Sequence, residues 1–300
     1  MKRRTFIKTC AATSAGFFLG TPPLMAAQTK TITILHTNDM HSRIEAFPDD
    51  GGRNANQGGM LKLAALVKKI RSENKAVLLL DSGDAWQGTP YFNLYKGELE
   101  FKLMTQIGYD ASTLGNHEFD NGLEGILEQL PHAGFPHLCA NYDFSKTILQ
   151  KQFSPYHVFK KNGINIGVFG LGIALDGLVN QKNYGQTKYL DPVEIAQEMV
   201  QELKAKKCHA IICLSHLGYG YKSTQIDDLK LASKVSGIDL ILGGHTHTFM
   251  DKPTVVQSIG GHSTLIHQAG TGALVLGKID LTFSRSQELV HTHTARLGIY

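Results

Sequence analysis

The sequence is poor in cysteine, with four residues in 300. Cys10 lies near the N-terminus, which leaves Cys139, Cys208 and Cys213 for the rest of the chain. An odd number excludes a complete disulfide framework. Cys139 and Cys213 sit in apolar runs, PHLCANY and HAIICLSH, and read as small buried hydrophobes. Long hydrophobic runs are also lacking. The run from Cys10 to Leu19 falls far short of the ~20 residues a membrane helix needs, so membrane insertion is not expected. Net charge is missing where it would matter. The formal +4 equals the charge of Lys2, Arg3, Arg4 and Lys8, and residues 1–27 contain no acid. The remaining chain is formally neutral, which removes the electrostatic case for nucleic acid or an anionic surface. Three nucleotide or nucleophile signatures are incomplete. Ser215 has no G-x-S-x-G elbow, and Gly170-Leu171-Gly172 lacks the third glycine of a dinucleotide loop. Gly272–Lys278 has P-loop spacing, but Ile279 replaces the required Ser or Thr.

What is present is a globular composition, 42% hydrophobic and 19% charged, with 14 histidines against one tryptophan. Residues 1–27 read as a targeting segment: a basic start, a modest apolar run, then Pro22-Pro23 and small residues at Ala26-Ala27. Arg3-Arg4-Thr5-Phe6-Ile7-Lys8 resembles a twin-arginine export signal, which predicts a periplasmic or otherwise exported protein. Residues 28–300 are expected to form one α/β domain.

Short β-rich runs alternate with amphipathic stretches through that domain. Strands are expected at Thr31–Thr37, Ala76–Leu80, Ala111–Leu114, Pro136–Asn141, Ile164–Leu171, His209–Leu214, Ile238–Leu242, Ser263–Gln268 and Ala273–Phe283. Helices are expected at Met60–Lys69, Asn93–Ile107, Leu123–Leu130 and from Asp191-Pro192 to Lys206, with Asp191 as N-cap and Pro192 at the first helical position. Ser284–Thr294 reads as a polar stretch near the C-terminus.

The polar residues cluster after strands. Asn38-Asp39-Met40-His41 follows the first, Asp81-Ser82-Gly83-Asp84 the second and Gly115-Asn116-His117-Glu118-Phe119-Asp120 the third. Ser215-His216 and Gly243-Gly244-His245-Thr246-His247 follow two later ones. In open α/β sheets the carboxyl ends of strands line the ligand crevice, so segments far apart in sequence converge there. Carboxylate, amide and imidazole without thiolate suit Mn, Fe, Zn or Co. The set is too large for one four-coordinate ion. It suits two ions about 3.5–4 Å apart, which acidify a bridging water and clamp an in-line displacement at phosphorus.

Six blocks carry a resemblance: HTNDMH (His36–His41), GGMLKL (Gly58–Leu63), DSGDAWQGTP (Asp81–Pro90), LGNHEFDNG (Leu114–Gly122), LSHLG (Leu214–Gly218) and GGHTHT (Gly243–Thr248). Together they resemble the calcineurin-like metallophosphoesterases, in their bacterial 5′-nucleotidase branch. The resemblance implies a four-layer αββα sandwich with a dinuclear site. Asp39, His41 and His247 would bind the first metal, and Asp84 would bridge both. Asn116, His216 and His245 would bind the second, with Asn116 also able to touch the phosphate. His117 and Asp120 would form a catalytic dyad, His117 stabilising or protonating the leaving alkoxide and Asp120 orienting His117. Other members often carry Gln where His247 stands, a departure that bears on metal preference. His36, on the first strand, is placed behind the ligands.

The function implied is hydrolysis of a small phosphoester, a nucleotide monophosphate first, by hydroxide attack at phosphorus. A phosphodiesterase or 2′,3′-cyclic-nucleotide hydrolase would use the same metals, and a non-catalytic metal-binding module is the reading from another class. Members of this branch usually carry a second domain that grips the nucleoside. With the chain ending at Tyr300, a separate polypeptide is expected to supply it.

Overall fold

The computed structural model describes residues 29–300. The proposed export signal lies outside the described residues. Among the described residues thirteen strands follow in chain order: β1 (Lys30–Thr37), β2 (Val77–Asp81), β3 (Ala111–Ser112), β4 (Tyr142–Asp143), β5 (Tyr156–Lys161), β6 (Ile164–Leu171), β7 (Lys188–Tyr189), β8 (Ala210–Ser215), β9 (Leu240–Leu242), β10 (Thr254–Gln257), β11 (Ser263–His267), β12 (Val275–Phe283) and β13 (Leu289–Gly298). One sheet has the order β13-β12-β1-β2-β3, the other β10-β11-β9-β8-β6-β5, and β4 pairs with β7. In the first sheet β1, β2 and β3 run parallel, while β12 pairs antiparallel with both β1 and β13. In the second, β6, β8, β9 and β11 run parallel between antiparallel edges β5 and β10.

Side-chain alternation makes the layers, because successive residues of a strand face opposite sides. Ile32, Ile34, Leu78 and Leu80 of the first sheet pack against Ile166, Val168, Ile212 and Leu214 of the second. The alternate residues Leu35, Val77 and Leu79 meet Leu63 and Val67 of helix Met60–Glu73 and Met104 of helix Glu98–Ile107. On the far side, Phe169, Ile211 and Cys213 meet Ala196, Val200 and Leu203 of helix Pro192–Ala205. The result is the αββα sandwich implied above. Both central sheets are covered on both faces, which explains why their strands read as continuous apolar runs.

Most predicted elements form, with shifted ends. Asp191 caps its helix as read, its side chain accepting from the Val193 and Glu194 amides. Four expectations need correction. The helix expected over Asn93–Ile107 is two, Pro90–Tyr95 and Glu98–Ile107, broken at Lys96 and Gly97 with φ of 57° and 106°. The break has a packing cause: a Cβ on Gly97 would lie 2.2 Å from the buried Trp86 indole. Pro136–Asn141 forms only single bridges at His137 and Leu138. The third strand stops at Ser112 rather than Leu114. The polar stretch Ser284–Thr294 belongs largely to β13, a ten-residue strand with one neighbour, β12. An edge strand facing water on much of its surface shows little apolar signal.

Candidate metal centre

Five strand ends deliver the predicted residues to one place. Asp39 and His41 follow β1, Asp84 follows β2, Asn116, His117 and Asp120 follow β3, His216 follows β8, and His245 and His247 follow β9. The backbone is bent hard there. Asp39, His41, Asp84, His245 and His247 all have positive φ, between 49° and 70°. Such conformations are uncommon outside glycine and persist where surroundings impose them, a pattern frequent at functional sites. Gly115 admits the Asp84 loop: a Cβ there would stand 2.1 Å from Asp84 Oδ1.

Three groups of side chains lie within single-ion reach: Asp39 with His41 and His247, His41 with Asp84 and His117, and Asp84 with His216 and His245. In the first, His247 Nε2 is 3.4 Å from Asp39 Oδ1 and 2.9 Å from His41 Nε2. In the last, His216 Nε2 is 3.0 Å from Asp84 Oδ2, and His245 Nδ1 is 2.8 Å from Asn116 Oδ1. His117 Nδ1 is 2.8 Å from Asp120 Oδ2, and its backbone N–H donates to Asp84 Oδ1 at 2.8 Å. Every predicted site residue is therefore brought to the same crevice.

The Asp84–His216 pair tests whether cations belong here. His216 is fully buried, and its Nδ1 donates to the Ser82 carbonyl at 2.7 Å. That bond fixes the tautomer and turns Nε2, which makes no hydrogen bond, toward the Asp84 carboxylate. A lone pair and a buried carboxylate at this distance require a positive charge between them, a proton or a metal ion. Without metal, burial opposes the His216 imidazolium, yet the Asp84 charge wins and raises its pKa. Asp84 is likewise driven up by burial but held well below the usual carboxylate range by His216. His41 follows the same design, Nδ1 donating to the Trp86 carbonyl at 3.3 Å and Nε2 facing the centre. A metal-ligating imidazole is ordinarily anchored this way through its other nitrogen. Burial, then the His216 charge, pushes His245 down to about 4, which keeps its ring neutral and able to coordinate. The donor set fits divalent ions.

Residues without an assigned role in the sequence reading hold the ligands in place. Glu118 Oε2 accepts from the Asp84 and Gly115 amides at 3.0 and 2.6 Å, and Oε1 accepts from Ala85 at 2.9 Å. It thereby ties the β2 and β3 loops together. Burial and the Asp84 charge lift its carboxyl to about 7. Asn38 donates to Asp39 Oδ2 at 2.6 Å and to the Gly270 carbonyl at 2.7 Å. Both residues lie inside the recognised blocks, which is the only sequence signal they give. His36 is buried near the end of β1 and shares a 2.8 Å hydrogen bond with His267.

The family model described as calcineurin-like phosphoesterase matches residues 32–249. The chain belongs to this family. Its members use a dinuclear divalent metal site, and the groups above are the candidates for it here. A snake venom 5′-nucleotidase from Crotalus adamanteus is 34% identical over 279 residues, covering 86% of this chain and 46% of the relative. The structure of a 5′-nucleotidase precursor from Thermus thermophilus superposes with a TM-score of 0.82 at 36% identity, covering 90% of this chain and 54% of that one. A calcineurin-like phosphoesterase from Bacillus subtilis has a TM-score of 0.73 at 25% identity, covering 90% and 91%. The chain spans about half the length of the curated relatives it matches. No helix among the described residues is long and apolar enough to cross a membrane.

Proposed function

We propose that the chain is a two-metal phosphoester hydrolase that acts on nucleotide monophosphates. The observation that carries this reading is the buried Asp84–His216 pair, a carboxylate and an imidazole nitrogen 3.0 Å apart at the junction of the candidate groups, where a proton or a metal ion must sit between them. Relatives named 5′-nucleotidase support the substrate class. In this reading Asp39, His41 and His247 would hold one ion, Asn116, His216 and His245 would hold the other, and Asp84 would serve both. The ions would be drawn from Mn, Zn, Fe and Co. The chemistry supplied by such a pair is Lewis-acid stabilisation of phosphoryl charge and acidification of a water nucleophile.

The chain's own residues do the rest. With Asp120 engaged at Nδ1, His117 has Nε2 free to give a proton to the leaving alkoxide. Asp120 orients the ring and stabilises its charged form. With Oδ1 turned to His245, Asn116 presents Nδ2 as a donor for a phosphate oxygen. The test is a substrate panel on the Mn2+-loaded chain: nucleoside monophosphates, 2′,3′-cyclic nucleotides and a simple diester. Turnover of monophosphates well above the others supports the reading. Preference for diesters or cyclic nucleotides moves it to a phosphodiesterase, and no turnover of any removes it.

The proposal includes residues 1–27 as an export signal, supported by their basic start and apolar run. Cell fractionation of an Arg3→Lys, Arg4→Lys chain should show loss of export. It also includes a nucleoside-gripping unit outside residues 29–300. Adding a candidate for that unit should lower the KM for nucleotides.

A further inference from the structure

Beyond the end of β11 the chain passes alongside the His245–His247 loop and the Asn38-Asp39 turn, and Gln268 is the residue it buries there completely. Gln268 Oε1 accepts from the Thr248 amide at 3.0 Å and from Thr246 Oγ1 at 3.1 Å. Nε2 donates to the Gly244 carbonyl at 2.9 Å. The Thr248 amide can only donate and the Gly244 carbonyl can only accept, so the orientation of the Gln268 amide is fixed. Nε2 also reaches Asp228 Oδ2 at 3.4 Å, and the other oxygen of Asp228 accepts from Ser215, the residue before His216. One side chain thus grips residues 244–248 at both ends, with His245 and His247 between the grips at φ of 70° and 51°.

The same segment is fastened to the opposite sheet. His267 bonds His36 at 2.8 Å, and the Ala269 amide donates to Asn38 Oδ1 at 2.8 Å. The Gly272 amide donates to the Asp39 carbonyl at 2.9 Å. Asp39 and the His245–His247 loop come from different sheets, and this segment is bonded to both.

We propose that Gln268 is a positioning residue that sets the spacing of His245 and His247 against Asp39 for metal binding. The inference rests on the metal-centre reading above. Gln268 reaches no reacting group itself. Its replacement by an apolar side chain of similar length takes the partner from the half-buried Thr248 N–H and leaves the Gly244 carbonyl only the Thr246 amide, and the strained loop then has another conformation to relax into.

The full chain, stripped of metal, is titrated calorimetrically with Mn2+ as wild type, Gln268→Met, Thr246→Val and Asn74→Leu. Thr246→Val removes one of the bonds to Gln268. Asn74 controls for general destabilisation: its side chain bonds Thr33 and the Ala76 amide at the start of β2, the end away from Asp84. Gln268→Met should bind Mn2+ about 10–100-fold more weakly, the usual consequence of losing a partner behind the ligands. Thr246→Val should show a smaller weakening, and Asn74→Leu should lower the melting temperature with Mn2+ affinity unchanged. At saturating Mn2+ the KM of Gln268→Met for a phosphate monoester should match wild type. Wild-type Mn2+ affinity in Gln268→Met, or an equal loss in Asn74→Leu, overturns the proposal. Should Gln268→Met not fold, unchanged affinity in Thr246→Val overturns it alone. A wild-type chain that takes up no Mn2+ removes the metal-centre reading, and the inference with it.

Discussion

The His216 side chain is fully buried, anchored on the Ser82 carbonyl and opposed by Asp84, whereas the His247 side chain is 43% exposed and faces Asp39 and His41. One end of the centre is therefore closed and charge-matched before any ion arrives. The other is open and pairs two imidazole nitrogens across 2.9 Å. Desolvated groups that already face each other lose little freedom on binding a cation, while exposed imidazole must be ordered and stripped of water. The buried end should hold its ion tightly, and the open end should exchange it.

Removing the residue common to both ends gives the largest effect. Asp84→Asn should abolish turnover and reduce metal content at both positions, measured by elemental analysis of the purified chain. His117→Ala comes next. It should lower kcat by about 10²–10⁴-fold, the usual share of acid–base help, with metal content intact. Full activity in that variant would remove the dyad from the mechanism. The paired deletions probe the asymmetry itself. In metal-free chains, His216→Ala leaves a buried carboxylate uncompensated and should destabilise by about 3–5 kcal/mol in urea unfolding. His247→Ala removes an exposed partner and should change stability by less than about 1 kcal/mol. Equal losses would erase the distinction between the ends.

These contrasts also mark what the sequence could show. The ligand-bearing loops were legible because each follows an apolar strand and carries Asp, Asn or His beside glycine. The central strands were legible as apolar runs, but their stacking in four layers came only from the family resemblance. β13 was not, since its edge position leaves a polar pattern with no clean period. The parting of the helix at Gly97 depends on Trp86, eleven positions earlier, and no local pattern announces that contact. Glu118 and Asn38 stand inside recognised blocks, but their partners lie on other loops. Gln268 and His267 had no motif at all. Their significance comes from bonds to Gly244 and His36, which only the folded chain brings near.

The contrast between the ends amounts to a two-ion centre with one tight and one labile position. Its most direct test is a Mn2+ titration of the metal-stripped chain and of His216→Ala and His247→Ala. Two ions should bind per wild-type chain in separate steps, with His216→Ala losing the tighter step and His247→Ala only the weaker. A single ion per chain, or the same step lost in both variants, would contradict it.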